Sequence, residues 1–122
     1  CHRVGTLDGH LEAVSIEFAM PATPSDVTSV LRDFRGGEFA AELPSAPKVP
    51  IVVREEPDRP QPRLDRDEGR GMSAVVGRVR RCPVLGIKLE LLSHNTRRGA
   101  AGAAVLNAEL LAAKGVLPRR DA

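Results

Sequence analysis

Two short stretches of the 122-residue chain hold side chains suited to acid–base and anion chemistry, each beside a turn or helix start that can aim them. The first is RVGTLDGH, Arg3 to His10. An imidazole takes up and returns a proton near neutrality, and a guanidinium offers a planar fork that suits a carboxylate or phosphate. Fully extended, the two would stand up to ~25 Å apart. The Asp8-Gly9 pair lets the chain double back, so that Arg3 and His10 can face one small anion. A lone histidine is more often structural, so this reading leans on the turn and on Arg3 together. The second stretch is SHNTRRGAAG, Ser93 to Gly102, in which a strand runs directly into a glycine- and alanine-rich helix start. Free N–H groups there, with the helix dipole, favour an anion or a polar ligand edge. Asn95 supplies both a donor and an acceptor, as a carboxamide partner requires. The plainer alternative is an N-cap followed by close helix packing.

Other chemistries find less support. Cys1, His2, His10, Cys82 and His94 lack metal-ligand spacing, so no metal is expected. Cys82 precedes a proline between two strands and reads as a small apolar filler rather than a nucleophile. No G-x-G-x-x-G follows a strand, so nothing in the chain cradles a dinucleotide diphosphate. The net charge of +2, mixed in sign along the chain, and the lack of Trp and Tyr argue against nucleic acid. Two cysteines without a C-x-x-C fit a reduced setting. No apolar run approaches the ~20 residues of a membrane span, and no signal peptide opens the chain; a soluble cytoplasmic protein is expected.

The elements that must position these residues are legible from periodicity. EAVSIEFA, Glu12 to Ala19, alternates as a half-buried strand. Thr23 caps a helix with Pro24 at its first position and Asp26 at its third; Val27, Val30, Leu31 and Phe34 form its stripe, and Gly36-Gly37 end it. Glu42 to Met72 reads mostly as loop, because five of its first nineteen residues are proline; only Ile51 to Arg54 reads as strand. The interleaved charges of Glu55 to Arg70 fit a solvated loop and a functional arm equally well. Ser73 to Arg81 and Ile87 to Ser93 suggest an antiparallel pair. Asn95 or Thr96 then caps a helix running to about Lys114, closed by Gly115, with Pro118 barring its return. Small residues from Gly99 to Ala104 let a backbone or a flat ligand come close. The order β, α, β, β, β, α predicts an α+β fold on a mixed, largely antiparallel sheet with helices on one face.

RVGTLDGHLEAVSIEF, LPSAPKVPIVVREEPDRPQPRLDRD, GRGMSAVVGRVRR and GIKLELLSHNTRRGAAGAAVLNAELLAAKG, in this order and over nearly the whole chain, resemble the C-terminal part of aspartate-semialdehyde dehydrogenases of the archaeal and fungal type. The resemblance implies an NADP-dependent enzyme of amino-acid (lysine, threonine, methionine) biosynthesis that reductively dephosphorylates aspartyl-4-phosphate through a cysteine thioester. It implies that His10 handles protons at that cysteine, that Arg3 binds the substrate carboxylate, and that Asn95, with Thr96 beside it, lies near the nicotinamide. It implies a homo-oligomer, dimer or tetramer, in the full-length protein. Such enzymes also carry an N-terminal NADP-binding Rossmann domain and an upstream nucleophilic cysteine, and neither is in this sequence; Gly5 stands where the family usually has proline. Residues 1–122 are therefore expected to form an incomplete dimerisation and substrate-binding domain, inactive alone and short of the partners that cover its apolar faces. A non-catalytic dimerisation module and a fragment of a related malonyl- or succinyl-CoA reductase are the alternatives, since the pocket for the activating group lies mostly upstream.

Overall fold

The computed structural model describes residues 4–117. Four strands form one open mixed sheet in the order β1-β4-β3-β2, with β1 at His10–Ile16, β2 at Ile51–Arg54, β3 at Ala74–Cys82 and β4 at Gly86–Ser93. β1 pairs with β4 antiparallel, from His10 opposite Ser93 to Ile16 opposite Ile87. β3 and β4 are the expected antiparallel pair, joined across Pro83–Leu85. β2 runs parallel to β3, with Ile51 opposite Ala74 and Arg54 opposite Gly77. Parallel neighbours need a long crossover, so the proline-rich, charged segment 55–73 is that connection rather than a free loop.

Helix α1, Pro24–Asp33, starts as its sequence predicts. Thr23 Oγ1 accepts from the Asp26 N–H at 3.2 Å, and the Asp26 carboxylate accepts from the Thr23 N–H at 2.8 Å. This reciprocal pair satisfies two donors that a helix start leaves free. The helix stops earlier than expected, because Phe34 turns extended before Gly36 is reached. Its stripe is accordingly shared: Val27 is buried, whereas Val30 and Phe34 stay exposed.

Strand register assigns the two faces of the sheet, because residues opposite one another point the same way. Val14, Ile16, Ile87, Leu89 and Val76 lie on the face where α1 sets Val27 and Leu31 against Ile16 and Leu89. Leu11, Leu92, Val75 and Gly77 lie on the other, under the crossover, with its short helices α2 at Pro62–Asp65 and α3 at Glu68–Gly71. Val75, Val76, Ile87 and Leu92 are almost wholly buried, so both faces are covered at the centre. Gly77 has no side chain because the crossover allows none: a Cβ there would overlap the Arg59 carbonyl. β3 then bulges between Gly77 and Arg80, with Arg78 at φ 53°.

The crossover is anchored by charge. Asp65 is fully buried, and its carboxylate accepts from Arg54 Nε at 3.0 Å, Arg59 Nε at 2.7 Å and the Gln61 N–H at 2.7 Å. Arg54 also pairs with Glu68. Burial pushes the Asp65 carboxyl upward, but the hydrogen bonds from Arg59 and Gln61, the Arg59 charge and Arg54 outweigh it and hold the group below the usual carboxylate range. Of the two readings left open for this segment, a free solvated loop is set aside: it is folded onto the sheet, with Asp65 held by Arg54 and Arg59 and Glu68 by Arg54.

The chain after β4 forms a π-helical turn, Arg97–Gly102, and then α4, Ala103–Ala113. Ser45 ties α4 down by donating its N–H and hydroxyl to Glu109, at 3.0 and 2.7 Å. Gly115, at φ 68°, follows the helix as expected; Pro118 lies outside the described residues. Among the described residues no helix is long and apolar enough to cross a membrane.

Candidate active-site corner

His10 is the first residue of β1 and is exposed. Gly9 before it adopts φ 105°, the left-handed turn that the Asp-Gly pair predicts. The Gly9 N–H donates to Asn95 Oδ1 at 2.8 Å, and His10 stands opposite Ser93 across the β1–β4 ladder. The two stretches read separately in the sequence therefore form one corner, at the end of β1 and the start of the π-helical turn. A Cβ at Gly9 would lie 3.2 Å from Leu92 Cδ1, 3.5 Å from Pro62 Cβ and 3.7 Å from Arg66 Cβ, so α2 and β4 close on the turn that delivers His10. Thr6 Oγ1 donates to the Asp8 carbonyl at 3.0 Å and keeps the preceding loop folded.

The cap after β4 differs from expectation. Neither Asn95 nor Thr96 caps the helix. Asn95 is spent on Gly9, and Thr96 Oγ1 sits 3.3 Å from His94 Nδ1. The acceptor for the Arg97 N–H is His94 Nδ1, at 3.4 Å, and the His94 carbonyl accepts from Gly99 at 3.0 Å. His94 is 4% exposed. Arg97 and Arg98 reach back to the crossover, donating to the Arg70 carbonyl at 3.1 Å and the Met72 carbonyl at 2.8 Å. A Cβ at Gly102 would run into the Met72 sulfur, so the small-residue stretch does admit a close neighbour, and it is Met72.

Of the four residues singled out, Asn95 is bonded to Gly9, the residue before His10, Thr96 follows it but turns towards His94, and Arg3 lies outside the described residues. His94 and Asp65 were missed as structural centres. The signal for His94 was its position three residues before Arg97, the spacing by which Thr23 caps Asp26. Cys82 sits at the far end of the sheet, opposite Gly86, roughly 20 Å from the His10 end by strand rise. Its thiol is held below the usual range by the N–H groups of Leu85 and Val84. It stands too far from His10 to react beside it. Among the described residues no three His, Cys, Asp or Glu side chains gather as metal ligands.

The family described as "Semialdehyde dehydrogenase, dimerisation domain" matches residues 1–98. The chain belongs to this semialdehyde dehydrogenase family. An aspartate-semialdehyde dehydrogenase of Archaeoglobus fulgidus is 50% identical over 111 residues, which are 91% of this chain and 31% of that protein. The Candida albicans enzyme is 47% identical over 119 residues, 96% of this chain and 33% of its own. Its crystal structure with NADP superposes with a TM-score of 0.83 over 94% of this chain and 33% of that one. An aspartate semialdehyde dehydrogenase II from Vibrio cholerae complexed with ASA is 31% identical, with a TM-score of 0.65 over 87% of this chain and 27% of that one. The semialdehyde dehydrogenase chain thus spans about a third of the length of the relatives it matches. These relatives are oxidoreductases, and the four-stranded mixed sheet is the fold this chain shares with them.

Proposed function

We propose that this chain is the dimerisation and substrate-binding part of an NADP-dependent aspartate-semialdehyde dehydrogenase, acting in cytoplasmic amino-acid biosynthesis as a homo-oligomer. The reaction is the reductive dephosphorylation of aspartyl-4-phosphate to the semialdehyde. The observation that supports it is the Gly9–Asn95 hydrogen bond, which ties the turn leading into the exposed His10 to a fixed carboxamide at one corner of the sheet. In this reading His10 moves the proton of a cysteine thiol supplied by residues outside this chain. Arg3, seven residues earlier, clamps the substrate carboxylate.

The described residues fit one end of the cofactor. Asn95 uses its carbonyl oxygen on Gly9, and its NH2 faces no hydrogen-bond partner among them, so it can donate to a nicotinamide carboxamide. Thr96 adjoins that edge. They include no G-x-G-x-x-G turn between a strand and a helix for the diphosphate, which in this reading a Rossmann domain outside this chain holds. When bound, NADP supplies the hydride.

The test is NADP reduction by aspartate semialdehyde and phosphate in a full-length enzyme containing this chain. His10→Ala is expected to lower kcat by about 10²–10⁴-fold with binding nearly unchanged. Undiminished turnover in His10→Ala would take the imidazole out of the reaction. A stable dimer without activity in the unaltered enzyme would leave a purely assembling module.

A further inference from the structure

We propose that His94 is a positioning residue: its imidazole caps the chain at Arg97 and thereby leaves the Asn95 carboxamide aimed at the Gly9 amide. A backbone N–H only donates, so the contact from Arg97 N at 3.4 Å makes His94 Nδ1 an acceptor. The Thr96 hydroxyl, 3.3 Å away, donates to the same nitrogen. The ring proton then sits on Nε2, which faces Asp67 Oδ1 at 3.8 Å. The far edge of the ring is wedged as well. A Cβ at Gly71 would come within 2.9 Å of His94 Cδ2 and 2.6 Å of Arg97 Cδ, and Gly71 holds φ 79°. The ring is thus fixed between Asp67 and Gly71 of the crossover on one side and the start of the π-helical turn on the other.

The consequence follows from what Asn95 is spared. Asn is among the best capping residues, and an Asn95 carboxamide turned onto the N–H groups of the next turn would abandon Gly9. With His94 satisfying the Arg97 N–H, Asn95 Oδ1 is released to reach Gly9 at 2.8 Å. The Gly-Arg-Gly turn at Gly69–Gly71 and the buried imidazole therefore set the geometry beside His10 without touching it. The effect on cofactor binding rests on the reading of Asn95 given above; the effect on Gly9 does not.

The experiment is amide hydrogen exchange at Gly9, read residue by residue in the cofactor-free full-length enzyme, with NADP titrations alongside. His94→Leu removes the acceptor, His94→Asn keeps one at the cap, and Asn95→Ala removes the bond itself. Exchange at Gly9 is expected to rise about tenfold in Asn95→Ala and in His94→Leu, and to return to the parental rate in His94→Asn. Amides of Val14, further along β1, report that the sheet is intact. NADP Kd should rise in the first two variants and recover in the third. Parental protection of Gly9 in a folded His94→Leu protein overturns the proposal. So does a folded His94→Asn protein with Gly9 unprotected, which also decides the matter if His94→Leu does not fold. If Asn95→Ala exposes Gly9 but leaves NADP Kd unchanged, the cofactor role of Asn95 falls, while its placement by His94 stands or falls on the His94 variants alone.

Discussion

The main-chain N–H of Gly9 and the side-chain Oδ1 of Asn95 meet at 2.8 Å across 86 residues of sequence. This bond closes the corner of the sheet at which β1 begins and β4 ends. It divides the Asn95 carboxamide into an oxygen used for structure and an NH2 facing away from Gly9.

That division can be separated by mutation. Asn95→Asp keeps an acceptor for Gly9 and loses the donor. In the full-length enzyme it should leave the urea midpoint near the parental value and raise NADP Kd about tenfold. Asn95→Ala loses acceptor and donor together, so it should weaken binding and also cost about 1 kcal/mol of stability. Equal NADP affinity in Asn95→Asp and parent would show that the NH2 has no ligand.

Gly9→Ala tests the turn that presents His10. At φ 105° any side chain is strained, and the added Cβ would press on Leu92 Cδ1 at 3.2 Å. A loss of about 1–3 kcal/mol is expected in urea unfolding. kcat should fall with it, because His10 follows directly. Gly37→Ala, which meets no atom within 4 Å, is the neutral control.

The Asp65 cluster makes stability depend on acid. Removing the buried carboxylate leaves Arg54 and Arg59 facing each other, so Asp65→Asn should cost about 3–5 kcal/mol at neutral pH. Because the folded carboxyl lies below its unfolded value, its contribution is complete above the unfolded value of about 4 and is lost as pH falls through it towards the lower folded value. Urea midpoints measured from pH 7 to pH 3 should fall more steeply for the parent than for Asp65→Asn. Parallel curves would mean that Asp65 carries no acid-linked stability.

Gly77→Ala tests how the crossover lies on the sheet. The new Cβ would overlap the Arg59 carbonyl and crowd Pro60 Cδ at 3.0 Å, where backbone has little room to yield. A loss of about 1–3 kcal/mol is expected, with faster amide exchange in Arg59–Asp65. Unchanged exchange there would place the crossover farther from β3 than the structure has it.

Local chemistry was legible wherever neighbours in sequence are neighbours in space. Thr23, Pro24 and Asp26 specify their helix start among themselves. The alternation of Glu12–Ala19 and Ile87–Ser93 reads directly as strand, and the Asp8-Gly9 pair announces the turn before His10. Proline between Pro44 and Pro62 leaves room only for the short strand Ile51–Arg54, and it carries no information on where the rest of the segment lies. Parallel pairing of β2 with β3, the burial of Asp65 between Arg54 and Arg59, and the contact of Gly71 with His94 all join residues from separate elements.

Sequence alone therefore determined the identity and order of the main strands and of α1, and it placed His10 and Asn95 beside a turn and a helix start. Both are written in spacings of two to four residues, which backbone geometry converts into faces and caps. Only the tertiary structure decided that Asn95 turns to Gly9 while His94 takes the cap. Several acceptors competed for the same N–H groups, and the winner was set by what packs against each ring and carboxamide: Gly71, Asp67 and the start of β1, all distant in the chain.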